Sequence, residues 1–190
     1  MFTTTSHPKP KPKFLFVLTS QPILPSRNTP TGWYLPELVH AYNKLAPYFN
    51  IVLASPAGAE APLDPYPIKA TKEDPECVIF LQENSHLWKN TLPLDSLLGK
   101  TSEFTGIFYV GGHGPMFDLT NNPTSHTLIR EFYETKKIVS AVCHGPAALV
   151  NVKLSNGEYL VAGQNEDMMQ FTNDMPFLLE TELRRNGRVY

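Results

Sequence analysis

The sequence predicts an α/β fold in which a mostly parallel, doubly wound sheet is covered by helices on both faces. Apolar runs of strand length alternate with segments of helical periodicity. The strand runs are apolar almost throughout, which is typical of parallel strands buried on both faces. Two glycine-containing turns, at 111–112 and 143–145, follow such runs directly. Ligands of doubly wound sheets bind at the carboxyl ends of the strands, so these two turns mark the candidate site.

Length and composition indicate one globular domain. The chain has 190 residues, of which 42% are hydrophobic. We expect residues 1–12 to be a disordered tail and 13–190 to form the domain. A formal charge of −2 gives no reason to expect nucleic acid or a membrane surface as partner. The two cysteines, Cys77 and Cys143, are far apart in the sequence and do not suggest a disulfide framework. We therefore expect a cytoplasmic or nuclear protein.

The first half of the chain alternates strands and helices. The apolar run Lys13–Thr19 predicts a central parallel strand. After a Pro-rich loop, apolar residues at helical spacing predict a helix over Glu37–Ala46, and Pro47 ends it. Asn50–Ala54 predicts the second strand, and the Pro-rich segment 55–68 predicts a loop.

The second half continues the alternation. Glu73–Trp88 predicts a helix with Cys77 packed in the core, and a short helix follows around residues 96–98. Phe104–Val110 predicts the third strand, and Thr124–Thr135 predicts the next helix. The weaker patterns near the end predict a hairpin over 154–161 and helices over 166–171 and 176–186.

Cys143 stands at a predicted corner between a strand and a helix. The β-branched run 138–142 precedes it, and a run of small and apolar residues with Pro146 follows. A nucleophile on such a turn projects above the sheet, and a helix start behind it favours the thiolate and lowers the thiol pKa. The alternative is a buried structural cysteine. The Cys-His-Gly-Pro context favours the nucleophile.

Catalysis by a thiol also needs a proton acceptor and donors for the developing oxyanion. His144 can supply the base, and the backbone N–H groups of His144 and Gly112 can form an oxyanion hole. Glycine at 111 and 112 lets a substrate approach the backbone closely. Glu37 follows the first strand and is a second candidate, because burial beside Cys143 raises a carboxyl pKa. Its alternative role is that of an ordinary acidic residue at a helix start.

The sequence does not predict a metal or nucleotide site. Its six histidines lack His-x₃-His spacing, and no Cys-x₂-Cys occurs. A rim site formed by Glu37, His40 and His113 is the alternative that remains open. The phosphate-binding patterns G-x-x-x-x-G-K-[ST] and G-x-G-x-x-G are both missing from the sequence.

Several segments resemble one protein family. Residues 141–147, Ala-Val-Cys-His-Gly-Pro-Ala, resemble the nucleophile elbow of the ThiJ/PfpI superfamily. Within it, the sequence is similar to the glutathione-independent glyoxalase III class, of fungal or bacterial type, which includes heat-shock chaperones. Further segments similar to this class are 32–38, 54–58, 62–65, 108–119 and 176–180.

The resemblance implies a flavodoxin-like fold and a lyase, a D-lactate dehydratase, that converts methylglyoxal to D-lactate without glutathione, metal or other cofactor. Cys143 would attack the aldehyde to form a hemithioacetal, and Glu37 and His144 would move the protons. Gly111 and His113 would line the substrate site. Glu166 falls where the family places the third carboxylate of its triad. The class commonly forms homodimers.

The sequence also departs from the family pattern. It is shorter near residues 163–166 and at its C-terminal end, so we expect an altered sheet there. Two alternatives on the same fold stay open. The missing segments favour a non-catalytic stress chaperone, and a low-pKa thiol at a helix start favours a redox sensor. The residues do not separate glyoxalase from related hydratase or deglycase activities.

Overall fold

The computed structural model describes residues 10–163, 176–177 and 179–187. Within them the strands are β1 (Lys13–Val17), β2 (Ile23–Leu24), β3 (Thr29–Pro30), β4 (Asn50–Ser55), β5 (Leu92–Pro93), β6 (Phe104–Tyr109) and β7 (Ile138–Ala141). The α-helices are α1 (Leu35–Leu45), α2 (Pro65–Ala70), α3 (Pro75–Glu83), α4 (Ser85–Lys89), α5 (Pro115–Asp118), α6 (Pro123–Glu134) and α7 (Leu179–Arg185). Single 3₁₀ turns cover Leu94–Leu97, Thr101–Glu103 and Gly145–Ala148.

The central sheet confirms the predicted fold class. Its strand order is β5-β4-β1-β6-β7, and every neighbouring pair is parallel. The ends of the inner strands are in register, with Val17 opposite both Ala54 and Tyr109, and Tyr109 opposite Ala141. The loops that leave these four strands therefore begin side by side at one edge of the sheet. A separate antiparallel pair, β2 and β3, lies within the Pro-rich loop after β1.

Alternation along β1 divides the core into two layers. Phe14 and Phe16 point to the layer that includes residues of α1 and α3. Leu15 and Val17 point to the opposite layer, which includes residues of α6 and α7. Both layers exclude water almost completely, since Leu15, Phe16 and Val17 are fully buried. The hydrophobic effect thus fixes β1 between the two helical layers and holds its carboxyl end at a defined position.

Three local predictions were wrong. The helix predicted over Glu73–Trp88 is two helices, because Asn84 leaves helical geometry with φ −113° and ψ 13°. The predicted loop over 55–68 contains the start of α2, where Asp64 caps the helix and Pro65 occupies its first turn. The helix predicted after Cys143 is a 3₁₀ turn at Gly145–Ala148, closed by short-range bonds such as Leu149 N–H to the Pro146 carbonyl at 2.9 Å.

Some predictions lie wholly or partly outside the described residues. They are most of the 1–12 tail, the shortening near 163–166, the helix at 166–171 and the role of Glu166. The hairpin predicted over 154–161 is present as a tight turn in which Lys153 bridges Tyr159. Among the described helices, none has the length and apolar character that crossing a membrane requires.

Candidate active site

Cys143 sits on a strained corner two residues beyond β7. Its backbone has φ 57°, a left-handed conformation that is uncommon for residues other than glycine. Gly145 closes the corner by donating its N–H to the Val142 carbonyl at 2.7 Å. A Cβ on Gly145 would lie 2.4 Å from the Tyr109 carbonyl oxygen, so only glycine fits there. The close fit against β6 fixes the corner that presents the thiol.

Glu37 reaches the same point from the first turn of α1. Its Oε2 atom accepts a hydrogen bond from the Gly111 N–H at 3.0 Å, and its carboxyl group lies beside Cys143, whose thiol interacts with it. A Cβ on Gly111 would lie 2.4 Å from this oxygen and 2.7 Å from the Cys143 Cβ. The missing side chain at 111 is therefore what lets the carboxylate and the thiol approach each other.

Burial raises the pKa of both groups, and the charge of Glu37 adds to the rise at Cys143. Burial raises the pKa of Glu37, and the hydrogen bonds from Cys143 and Gly111 offset only part of that rise. Burial, followed by the charge of Glu37, raises the pKa of Cys143 to about 11, although solvent reaches the residue. Two negative charges side by side are thus disfavoured, and the pair holds a proton at neutral pH.

This corrects the expectation that the Cys143 thiol ionises easily. The expectation depended on a helix N-terminus behind the sulfur, but the four-residue 3₁₀ turn at Gly145–Ala148 replaces that helix. The redox-sensor alternative depended on the same low pKa and loses its support.

Two backbone N–H groups face the sulfur of Cys143. They belong to Gly112 and His144, and both favour the thiolate by hydrogen bonding to it. Gly112 adopts φ 99°, and a Cβ there would lie 2.4 Å from the Gly32 carbonyl oxygen. Glycine at 112 therefore allows both the left-handed turn and the close approach to Gly32. The N–H groups of Gly112 and His144 are the two donors that the sequence predicts for an oxyanion hole.

His144 lies beside the thiol but makes only a long contact with it. Its Nδ1 atom is 3.8 Å from Cys143 Sγ. Burial, and then the nearby His113, lower the pKa of His144 to about 4, so the imidazole is neutral at pH 7. The two histidine rings lie with their centroids 5.7 Å apart. A neutral imidazole in this place can both accept and donate a proton.

Asp64 is a site residue that the sequence reasoning missed. One of its oxygens, Oδ2, lies 3.6 Å from His113 Nδ1 and accepts a hydrogen bond from the Thr31 hydroxyl at 3.2 Å. The other, Oδ1, accepts from the Tyr66 N–H at 2.9 Å. Burial alone would raise the pKa of Asp64, but the hydrogen bonds from His113, Tyr66 and Thr31 hold it below its usual range. An anionic Asp64 thus positions His113 beside His144.

Backbone hydrogen bonds join the loops that carry these groups. Trp33 donates its N–H to the Pro62 carbonyl at 2.9 Å and accepts from the Asp64 N–H at 3.1 Å. Tyr34 donates its N–H to the Gly111 carbonyl at 3.2 Å. The loops after β1, β4 and β6 therefore form one connected wall around Cys143.

A buried carboxyl group anchors the start of the first loop. Asp118 Oδ1 accepts from the Thr19 hydroxyl at 2.8 Å, and Oδ2 accepts from the Ser20 N–H at 2.6 Å. Burial raises the pKa of Asp118 to about 6, despite the hydrogen bonds that favour its anion. Asp118 thus fastens the loop after β1 to the segment that follows the Gly111–Gly112 turn.

The structure brings together most of the predicted site residues. Glu37, Gly111, Gly112 and His144 surround Cys143, and His113 packs against His144. His40 does not join Glu37 and His113 in a rim metal site, because its ring pairs with Asp74 at 2.8 Å. Glu166 lies outside the described residues.

Comparison with known proteins adds independent observations. The profile of the DJ-1/PfpI family matches residues 82–173. The chain is 33% identical over 130 residues to the glutathione-independent glyoxalase hsp3102 of Schizosaccharomyces pombe, a match that covers 65% of this chain and 52% of that protein. The chain spans about half to two thirds of the length of the curated relatives it matches.

Two solved structures are similar over most of the chain. The Rapid Encystment Protein 24 KDa of Francisella tularensis superposes with a TM-score of 0.83 at 33% identity, covering 94% of this chain and 83% of that one. Glyoxalase III from Candida albicans superposes with a TM-score of 0.70 at 26% identity, covering 80% and 65%. The likeness therefore extends well beyond the segment around Cys143.

Proposed function

The chain belongs to the DJ-1/PfpI family, and we propose that it is a glutathione-independent glyoxalase that converts methylglyoxal to D-lactate through Cys143. The observation that supports this most directly is that the Cys143 thiol interacts both with the Glu37 carboxyl group and with the backbone N–H groups of Gly112 and His144. A two-carbon dicarbonyl unit needs a nucleophile, a proton carrier and an oxyanion site, and this cluster offers a candidate for each. The names of the relatives point to the same substrate class.

The first step joins the thiol to the aldehyde. As the sulfur of Cys143 bonds to the aldehyde carbon C1, Glu37 takes the thiol proton and passes it to the aldehyde oxygen. The N–H groups of Gly112 and His144 stabilise the negative charge on that oxygen before it is protonated. The product is a hemithioacetal, and Glu37 is again an anion. No preformed thiolate is required, which agrees with the raised pKa of Cys143.

The second step moves two hydrogens between neighbouring carbons. Glu37 removes the proton from C1, and the electron pair forms the C1–C2 double bond of an enediol. Glu37 then returns this proton to C2, while neutral His144 carries the hydroxyl proton from the C1 oxygen to the C2 oxygen. The raised pKa of Glu37 suits it to accept and release a proton near neutral pH. The result is a lactyl thioester on Cys143.

The last step releases the acid. Water attacks C1, the C1–S bond breaks, and the departing sulfur recovers a proton from the water. The sum is methylglyoxal plus water giving lactate, with no net oxidation and no glutathione. The face of C2 that Glu37 protonates decides the configuration, and the resemblance to the family favours the D form.

Lactate formed from methylglyoxal in the absence of glutathione tests the proposal, with D- and L-lactate measured separately. We expect D-lactate from the wild type and a loss of at least about 10³-fold in Cys143→Ala, since the nucleophile is removed. Cys77→Ala is the matched control. Cys77 is the other cysteine of the chain, and it packs in the helical layer that includes α1 and α3. Equal D-lactate formation by the wild type and Cys143→Ala would overturn the proposal.

A further inference from the structure

A second cluster of reactive side chains lies away from the candidate active site. His40, on the exposed side of α1, places Nε2 at 2.8 Å from Asp74 Oδ2. The Cys77 sulfur lies 3.3 Å from the same oxygen. One ligand atom from each of the three residues falls within 4.8 Å of the other two. The cluster thus joins α1 to the start of α3.

The two carboxylate oxygens of Asp74 have different partners. Its Oδ1 atom caps α3 by accepting from the N–H groups of Glu76 at 3.0 Å and Cys77 at 3.3 Å. Oδ2 is left facing the imidazole and the thiol. Because the cap fixes the carboxyl plane, a ligand of Oδ2 would meet an oxygen that is already oriented.

The distances fit a small tetrahedral ion. Zinc bonds of about 2.0–2.3 Å to oxygen, nitrogen and sulfur place ligand atoms about 3.3–3.6 Å apart at tetrahedral angles. The 3.3 Å between Cys77 Sγ and Asp74 Oδ2 is already in this range. The 2.8 Å between His40 Nε2 and Asp74 Oδ2 requires the imidazole to withdraw by a few tenths of an ångström. His40 is free to do so, because its side chain is 52% exposed.

We propose that His40, Asp74 and Cys77 form a binding site for a zinc-class divalent ion, separate from Cys143. A thiolate with an imidazole selects borderline metals such as Zn²⁺ and Co²⁺ over Mg²⁺ and Ca²⁺, which prefer oxygen. The exposed edge at His40 leaves the fourth position to water.

Binding exchanges protons for the metal. The Cys77 thiol releases its proton to solvent as the sulfur bonds to the ion, and the His40–Asp74 contact opens to admit it. The charge of the ion replaces the proton that otherwise lies between Cys77 and Asp74. Metal affinity should therefore rise with pH as the thiol proton becomes easier to remove.

The ion would connect two elements of one helical layer. His40 lies one turn beyond Glu37 on α1, and the Asn43 amide already donates to Glu76 at 2.6 Å across the same junction. A metal at His40 adds a second and stronger connection between α1 and α3. We expect unfolding to occur at a higher temperature when the metal is present.

Cobalt titration of Cys143→Ser isolates the site. Because the chain holds two cysteines, any thiolate-to-cobalt charge-transfer band in this variant reports on Cys77 alone. We expect one Co²⁺ bound per chain, with visible bands of tetrahedral intensity and about one proton released per ion near neutral pH. Zn²⁺ should displace the cobalt and abolish the bands.

Two further variants and a control complete the test. In the Cys143→Ser background, Cys77→Ala should abolish the charge-transfer band, and His40→Ala should weaken cobalt binding by at least about 10-fold. His86→Ala, which removes an exposed histidine of α4, should leave it unchanged. A missing band in Cys143→Ser, or equal affinity in His40→Ala and His86→Ala, would overturn the proposal. His40→Ala alters an exposed residue, so the comparison does not depend on a core substitution.

Discussion

The backbone N–H of Gly111 donates a hydrogen bond to Glu37 Oε2 at 3.0 Å, so the turn after β6 holds the carboxylate that faces Cys143. Glycine is required at position 111, because a Cβ there would lie 2.4 Å from that oxygen. It lets the chain pass within contact distance of the carboxylate, and it leaves the N–H open toward it. The position of the acid therefore depends on a residue that has no side chain.

Glu37→Gln should make the thiol easier to ionise and the enzyme slower. After burial, the charge of Glu37 is the next largest contribution that raises the pKa of Cys143 to about 11, so the neutral amide should lower that pKa. The rate of alkylation by iodoacetamide as a function of pH measures the shift. Lactate formation should fall by about 100-fold or more, because the proton carrier is lost. A thiol pKa that rises or stays constant would contradict this account.

Gly111→Ala should displace Glu37. The new methyl group would lie 2.4 Å from the carboxylate oxygen and 2.7 Å from the Cys143 Cβ. We expect a cost of about 1–3 kcal/mol in the free energy of unfolding and a loss of most activity. Gly99→Ala is a suitable control, since nothing lies within 4 Å of a Cβ there. Its φ of 71° means that alanine should reduce the stability of the fold but not the activity. Similar activity losses in the two variants would contradict a specific role for Gly111.

Asp64→Asn should reduce stability in a way that depends on pH. The folded pKa of Asp64 lies below its usual range, so its stabilisation is full above that range and disappears as pH falls through the folded pKa. Asparagine keeps the cap of α2 but loses the charge that faces His113. We expect a loss of about 1–2 kcal/mol at pH 7 by urea denaturation, and little difference at the acid end. A constant difference between pH 3 and 7 would indicate that the charge has no role.

Asp118 should make the fold less stable as pH rises from about 4 to 6. Its folded pKa of about 6 exceeds that of the unfolded chain, so the folded state binds more protons in this interval. Relative to Asp118→Asn, the wild type should lose up to about 3 kcal/mol across it. Urea denaturation at closely spaced pH values measures the slope. His144 contributes the opposite slope, since its pKa is lowered to about 4, and it cancels in this comparison.

Sequence reasoning predicted the parts of the site that depend on local structure. Cys143 and the Gly111–Gly112 turn follow apolar strands, and parallel strands bring their carboxyl ends to one edge. Glu37 could be placed because it lies at a helix start, after the long loop that leaves the carboxyl end of β1. The expected low thiol pKa was wrong because burial and the neighbouring charge of Glu37 raise it, and the local sequence around Cys143 shows neither.

Asp64 could not be predicted as the partner of His113. The two residues are far apart in sequence. They meet because the loops after β4 and β6 leave the same edge of the sheet, on either side of β1. The local pattern around Asp64 is also fully explained by its cap of α2, where proline follows an N-cap acid. The same limitation applies to the His40–Asp74–Cys77 cluster, which combines residues of α1 and α3 without any recognisable ligand spacing.

Backbone hydrogen bonds that connect the loops after β1, β4 and β6 limit how substrate specificity can change. They join Trp33, Pro62, Asp64, Tyr34 and Gly111. If one loop were replaced alone, its neighbours would keep unpaired amide and carbonyl groups. Leaving buried polar groups without hydrogen bonds reduces the stability of the fold. Substrate preference is therefore expected to change through side chains that point into the opening, while the backbone of the three loops is inherited as a unit. A loop with a different backbone conformation could be introduced only by transplanting all three loops together.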